Sequence, residues 1–212
     1  MSSLKILNTL FVLTLVLLLS SCVHTSVKPD GTLKQNEIIA NLVAYKNSDF
    51  NQVEATFYTE KSRALVFRIL SDVDKTSQWL QRVSSLEVIE VYNNQSYLLR
   101  TVINSPLPFK DRELITCVNT SFEKIITTIS ISSCSDRVPV NEDLVRVKQV
   151  DSIWVLKDLP NSLVKVHYKT WIDPNGYVPA FIFNKELKQS TLKDLRRLNN
   201  LIENSVLLDF SY

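Results

Sequence analysis

The sequence predicts an α+β domain in which a run of antiparallel strands is followed by one long C-terminal helix. Three observations carry this reading. Between residues 86 and 172, short runs rich in Val, Ile and Thr alternate apolar and polar side chains, the period of a half-buried strand. The connections between these runs are short and no helical pattern interrupts them, so the strands pair as an antiparallel meander and not through crossover helices. Residues 184–204 then carry apolar positions at helical spacing for about six turns.

Before the domain comes an address. Lys5 precedes the apolar run LFVLTLVLLL at residues 10–19, too short for a comfortable membrane-spanning helix and suited to a secretory signal. The run ends Leu19-Ser20-Ser21-Cys22, which resembles the lipobox of bacterial lipoproteins. The expectation is a signal peptide at residues 1–21, acyl chains such as palmitate on Cys22, and a tether over 22–32. The domain then occupies 33–205 and a tail 206–212. Residues 23–32 reach at most about 35 Å extended and about 18 Å as flexible coil, so the domain works close to one membrane. Val23 is not the aspartate that favours inner-membrane retention in enterobacteria, which points to the outer membrane, facing the periplasm.

Each later element has a local reason. In residues 33–45, Ile38, Ile39, Leu42, Val43 and Tyr45 recur at helical spacing and predict a first amphipathic helix. Val53, Ala55 and Phe57 alternate as a strand. Ser62 caps a helix through residue 73 whose stripe is Leu65, Phe67, Ile69 and Leu70, and KTSQWLQRV adds a short second helical piece. LEVIEVY and SYLLRTVIN form a hairpin about Asn93-Asn94. ELITCVNTSF, KIITTISIS, LVRVKQVDSIWVL and LVKVHYKTWI complete about six strands. Cys117 and Cys134 fall in two of these runs, in a compartment that permits a disulfide. A turn centred near Ile125 sets them opposite each other, and one centred elsewhere separates them.

The chain has two glycines, and one lies in DPNGYVPAFIFN at residues 173–184. Asp173 ends a strand, Pro174 cannot continue its ladder, and Gly176 can take the positive φ that side chains resist. Pro179 stiffens an apolar connection containing Phe181 and Phe183, and Asn184 is the expected cap of the last helix. Leu187, Leu195, Leu198 and Ile202 form that helix's stripe, widened by Leu192 and Leu201.

This junction resembles the D-P-x-G-x-φ-P-x-aromatic-φ-x-N segment of START domains, the steroidogenic acute regulatory protein-related lipid transfer family. Phe67-Arg68-Ile69-Leu70, Asp72 and Trp79-Leu80 are similar to that family's early helical pair. PLPFKDREL at 106–114 is similar to its P-x-P-x-x-x-R-D segment, with Arg112-Glu113 in place of Arg-Asp. Val145-Arg146 and Trp154 match its late strands, so the resemblance covers about residues 35–204. It implies a helix-grip fold: a curved antiparallel sheet wrapped around the long C-terminal helix, with a hydrophobic cavity between them.

Composition and motifs exclude several functions. Without residues 1–21 the chain holds 23 basic and 22 acidic side chains, a balance with no footprint for nucleic acid. No GxSxG, phosphate-binding glycine loop, HExxH or CxxC pair is present, so neither a metal nor a cofactor is expected. His24 lies in the tether. Alternation puts His167 with Lys165 and Lys169, outward, opposite Val164, Val166 and Tyr168; the alternative is a proton donor inside the cavity. Trp79, Trp154 and Trp171 read as core.

The expected ligand is a phospholipid, fatty acid or sterol-like lipid that the domain exchanges, transfers or senses at the membrane. The last helix and the 173–184 hinge act as its gate. Candidate cavity and gate residues are Arg112 beside Asp111, which are either polar groups at the cavity wall or an ion pair of the loop, with Arg100, and Asp173, Gly176 and Pro179 of the junction. Phe181, Phe183, Leu195, Leu198 and Ile202 of the helical segment complete the set. Arg100 shares a face with Leu98 and Val102, so it is either paired and buried or on a wet face. Two other readings remain: an envelope interaction module with a solid core, and a cyclase-like enzyme whose first sign would be His167, Tyr168 or Arg100 in the cavity.

Overall fold

The structure, a computed structural model, describes residues 37–206. The signal peptide, Cys22, the tether, His24 and all but the first residue of the tail lie outside the described residues. Among the described residues nine strands form one sheet: β1 (Ile39–Val43), β2 (Gln52–Thr59), β3 (Val83–Asn93), β4 (Ser96–Ile103), β5 (Arg112–Phe122), β6 (Ile126–Ser133), β7 (Val145–Arg146), β8 (Gln149–Asp158) and β9 (Val164–Asp173). The order is β1-β2-β9-β8-β6-β5-β4-β3, every neighbouring pair antiparallel, with the two residues of β7 parallel to β5. Helix α1 (Arg63–Ser71) and the long α2 (Ala180–Asn204) complete this curved-sheet, helix-grip architecture.

The first predicted helix is a strand. Ile38 and Leu42 suit a helical stripe, but Ile38, Ala40 and Leu42 suit a period of two equally well, and it is these three that turn inward. Pairing decides between them: β1 runs antiparallel along β2 from Ile39↔Thr56 to Val43↔Gln52 and covers an edge that would otherwise be open. The second helical piece shrinks to a single 3₁₀ turn, Thr76–Gln78, and the 144–156 run breaks into β7 and β8. The hairpin turn falls one residue later than predicted, at Asn94-Gln95, because Asn93 still pairs with Ser96 and its Oδ1 accepts from Gln95 N at 2.8 Å.

Helix α1 starts as its sequence predicts: Ser62 Oγ accepts from Leu65 N at 3.2 Å, a cap that contributes about 1 kcal/mol. Its inner residues Leu65, Val66 and Ile69 join Phe57, Leu156, Val166, Leu195, Leu198 and Ile202 in a solid apolar core. Helix α2 starts earlier than predicted, with Pro179 as its N-cap, so residues 181–183 lie in its first turn. Asn184 is therefore no cap. Its side chain accepts from Asn51 N at 2.8 Å and donates to Asp49 O at 3.1 Å, tying the helix to the segment before β2. Cys117 and Cys134 are joined by a disulfide with Cα atoms 5.6 Å apart.

Candidate functional site: a cavity beneath the C-terminal helix

Alternation along the strands presents one face of the sheet to α2. From β4 come Tyr97, Leu99, Thr101 and Ile103, and from β5 Leu114, Thr116 and Val118. Ile129 and Ile131 of β6, Trp154 of β8 and Tyr168 of β9 continue the same wall. Between this wall and the first half of α2 lies a cavity of about 340 Å³, within the range of small-molecule sites. Trp154 stacks on Tyr168 with centroids 3.9 Å apart and meets Trp79 edge-on at 6.1 Å. Trp79 and Trp154 are buried as expected of core, yet both also line the cavity.

Hydroxyls interrupt the apolar wall. Ser152 Oγ and Thr170 Oγ1 share a hydrogen bond of 2.7 Å, which satisfies both without a charge. Burial raises the pKa of the Tyr168 and Tyr97 phenols, so each stays neutral. The charged groups sit elsewhere. Arg82 and Glu186 form an ion pair at the helix side, and Asp194 lines the cavity further along α2. Burial pushes the Asp194 carboxyl up to about 6, against a hydrogen bond from Gln81 N and the nearby charges of Arg197, Arg82 and Lys193.

At the rim, Arg112 donates to Ser105 Oγ at 2.9 Å and to Lys110 O at 2.6 Å, and stacks over Phe109. Burial lowers its pKa, and the nearby Asp111 carboxylate opposes that shift. Asp111 accepts from Ser105 N at 2.8 Å, so the two side chains together shape the 104–112 loop.

The structure divides the sequence candidates. Arg112 and Phe183 line the cavity. Asp173, Gly176 and Pro179 build the hinge and do not line it: Asp173 Oδ1 accepts from Asn175 N, Gly176 has φ +70°, and Pro179 opens α2. Phe181 points outward, 77% exposed, while Phe183 packs edge-on against Phe50 at 5.3 Å. Leu195, Leu198 and Ile202 are at most 1% exposed and belong to the solid core, because the second half of α2 packs directly on α1 and β2. His167 lies on the outer face with Lys165 and Lys169, its Nδ1 2.8 Å from Thr56 Oγ1. Partial burial and the two lysines lower its pKa.

Arg100 also leaves the cavity. It sits on the opposite face of β4, donating from Nε to Glu113 Oε1 at 2.6 Å. Glu113, only 1% exposed, takes two further bonds from Arg146 at 2.9 and 2.7 Å. Arg146 in turn donates to the carbonyls of Ser135, Val138 and Pro139, strapping that loop over the outside of the cavity wall. Sequence reasoning missed Glu113, Arg82, Glu186 and Asp194 as site residues. For the last two a signal existed: Glu186, Ser190 and Asp194 recur every fourth residue beside the apolar stripe, on a face taken for solvent.

The fold and cavity define a helix-grip protein. The START domain profile matches residues 33–206, and the chain belongs to that family, whose members bind and transfer lipids. The STAR-related lipid transfer protein of Xanthomonas axonopodis is similar in structure, with TM-score 0.72 and 16% identity over 80% of this chain and 95% of that one. Human StAR-related lipid transfer protein 5 superposes with TM-score 0.71 at 14% identity, over 79% of this chain and 83% of its own. An aromatase/cyclase from Streptomyces shares the fold more distantly, TM-score 0.53 at 12% identity over 72% and 93%. No sequence match was found among curated proteins.

Proposed function

We propose that this chain holds one hydrophobic ligand in the cavity and exchanges or transfers it at the bacterial envelope membrane to which Cys22 anchors it, on the periplasmic side and at the outer membrane. The cavity of about 340 Å³ carries the reading. Burial there is worth about 0.8 kcal/mol per CH₂ relative to water, and a bilayer offers nearly the same. Transfer is therefore close to balanced, and a few polar contacts and the opening of the lid set its direction.

The rim supports a membrane-facing gate. Pro106 and Phe109 on one side and Pro174, Val178 and Ile182 on the other line the cavity from the 104–112 loop and the 174–183 junction. The same two segments expose Leu107 at 94% and Tyr177 at 96%, apolar surface suited to lipid headgroups and acyl chains. Opening at this hinge admits lipid directly from the bilayer.

The cavity favours binding over a solid interaction module. The cyclase reading loses His167 and Arg100 to the outer face and retains only Tyr168, whose buried phenol holds its proton. The deciding experiment is mass spectrometry of organic extracts from the purified protein after incubation with total lipids of the producing organism. One stoichiometric lipid class supports the reading, and an empty protein sinks it.

A further inference from the structure

The lid helix is not uniformly greasy where it meets the ligand. Glu186, Ser190, Thr191 and Asp194 all face the cavity, at positions i, i+4, i+5 and i+8 along one side of α2. The sheet opposite is apolar apart from neutral hydroxyls and, at the rim, Arg112 at the start of β5, whose guanidinium already donates to Ser105 Oγ and Lys110 O. A ligand in this space therefore has its polar end toward the helix and its hydrocarbon toward the sheet.

The two acids on that stripe are in different states. Glu186 is ion-paired with Arg82. Asp194 accepts one long bond, 3.2 Å from Gln81 N, although a carboxylate offers about four acceptor sites. The groups around it are Arg82 beside β3, Lys193 and Arg197 on its own helix, Glu186 two turns back and Tyr168 on β9. The volume narrows the ligand further. At about 340 Å³ the cavity is at the small end of the range for small-molecule sites, which suits one chain or a compact ring system.

Resting on the lipid-cavity reading, we propose that Asp194 selects the ligand's head. It holds a hydrogen-bond donor, a hydroxyl or protonated amine, so the cavity takes compact single-chain or ring amphiphiles with such heads and discriminates against carboxylates and phosphates. A bond from a hydroxyl to the ionised carboxylate is about twice as strong as one to a neutral acceptor, and an anionic head meets like charge in a low-dielectric space. Protonation of Asp194, which sits near pH 6, weakens the first effect and relieves the second.

The test uses three probes that share one chain and differ only at the head: 1-dodecanol, dodecylammonium and dodecanoate. Each is titrated into the full-length protein while the fluorescence of Trp79 and Trp154 in the cavity is followed. At pH 8 dodecylammonium and 1-dodecanol are expected to bind at least about tenfold more tightly than dodecanoate. Asp194→Asn removes the preference between the two charged probes and weakens 1-dodecanol several-fold. In the unaltered protein, affinity for 1-dodecanol, which does not itself titrate, falls several-fold from pH 8 to pH 5, an outcome that needs no variant. Dodecanoate binding as well as dodecylammonium, or an order unchanged by Asp194→Asn, overturns the proposal and leaves the lipid-cavity reading standing. Failure of all three probes to bind, with no lipid recovered by mass spectrometry, overturns both.

Discussion

The two halves of helix α2 do opposite work with similar sequences. From Leu195 to Ile202 the inward Leu195, Leu198 and Ile202 are fully buried and packed on α1 and β2, with Asn199 buried beside them. From Ile182 to Asp194 the inward side chains mix Phe183 and Leu187 with Glu186, Ser190, Thr191 and Asp194, and face empty space. One half is an anchor and the other a lid. The difference teaches that stability and ligand binding can be separated along a single element: close packing at one end allows the other to stay loosely packed and polar.

The largest expected effect lies outside the helix, in the wall the lid closes against. That wall is held partly by charge, so Glu113→Ala, which leaves Arg100 and Arg146 facing each other without their carboxylate, should cost about 3–5 kcal/mol in urea unfolding. Burial alone would raise the Glu113 pKa, but the bonds from Arg146 and Arg100 outweigh it and hold the carboxyl below its ordinary range. A depressed carboxylate contributes stability above the unfolded value near pH 4, and that contribution is lost as pH falls through the folded one. Glu113→Gln should flatten this acid limb of the stability profile.

A paired truncation tests anchor against lid directly. Leu198→Ala in the solid half should cost about 2–5 kcal/mol, whereas Leu187→Ala only enlarges an existing cavity and should cost about 1–2 kcal/mol. Equal costs would break the comparison. Gly176→Ala probes the hinge that leads from β9 into the lid: the added Cβ meets only Val145 Cγ1 at 3.8 Å, so the cost is that of φ +70°, about 1 kcal/mol by thermal melting.

The smallest effect has the most informative sign. Because the Asp194 carboxyl is pushed up to about 6, the native state binds its proton more tightly than the unfolded chain, and stability falls as pH rises from about 4 to 6. Asp194→Asn should therefore melt slightly higher than the unaltered protein at pH 8, with the gap closing toward pH 4. A residue that weakens the fold but improves ligand selection would show this trade, and a lower melting temperature at pH 8 would assign Asp194 to packing instead.

The antiparallel succession β3, β4, β5, β6, β8 and β9, the capped helix after Ser62, the glycine at the hinge and the stripe of α2 were all legible in residues 62–204. Each depends on local periodicity, a cap or a backbone conformation that neighbours in the chain specify. Three features were not. Residues 39–43 satisfy both periods, and only the free edge of β2 makes them a strand. Arg100, Glu113 and Arg146 belong to β4, β5 and β7, and register alone brings them to one point. Asp194 reads as solvent-facing along a helical wheel, since the wheel is indifferent to whether the facing space is core, cavity or water. Residues alone specify the antiparallel run from β3 onward, α1, α2 and the family resemblance, because those rest on interactions within a few residues or on a motif of fixed spacing. Only the tertiary structure decided which half of the helix is a lid and which charge lies beneath it, because that depends on where packing stops and a cavity begins.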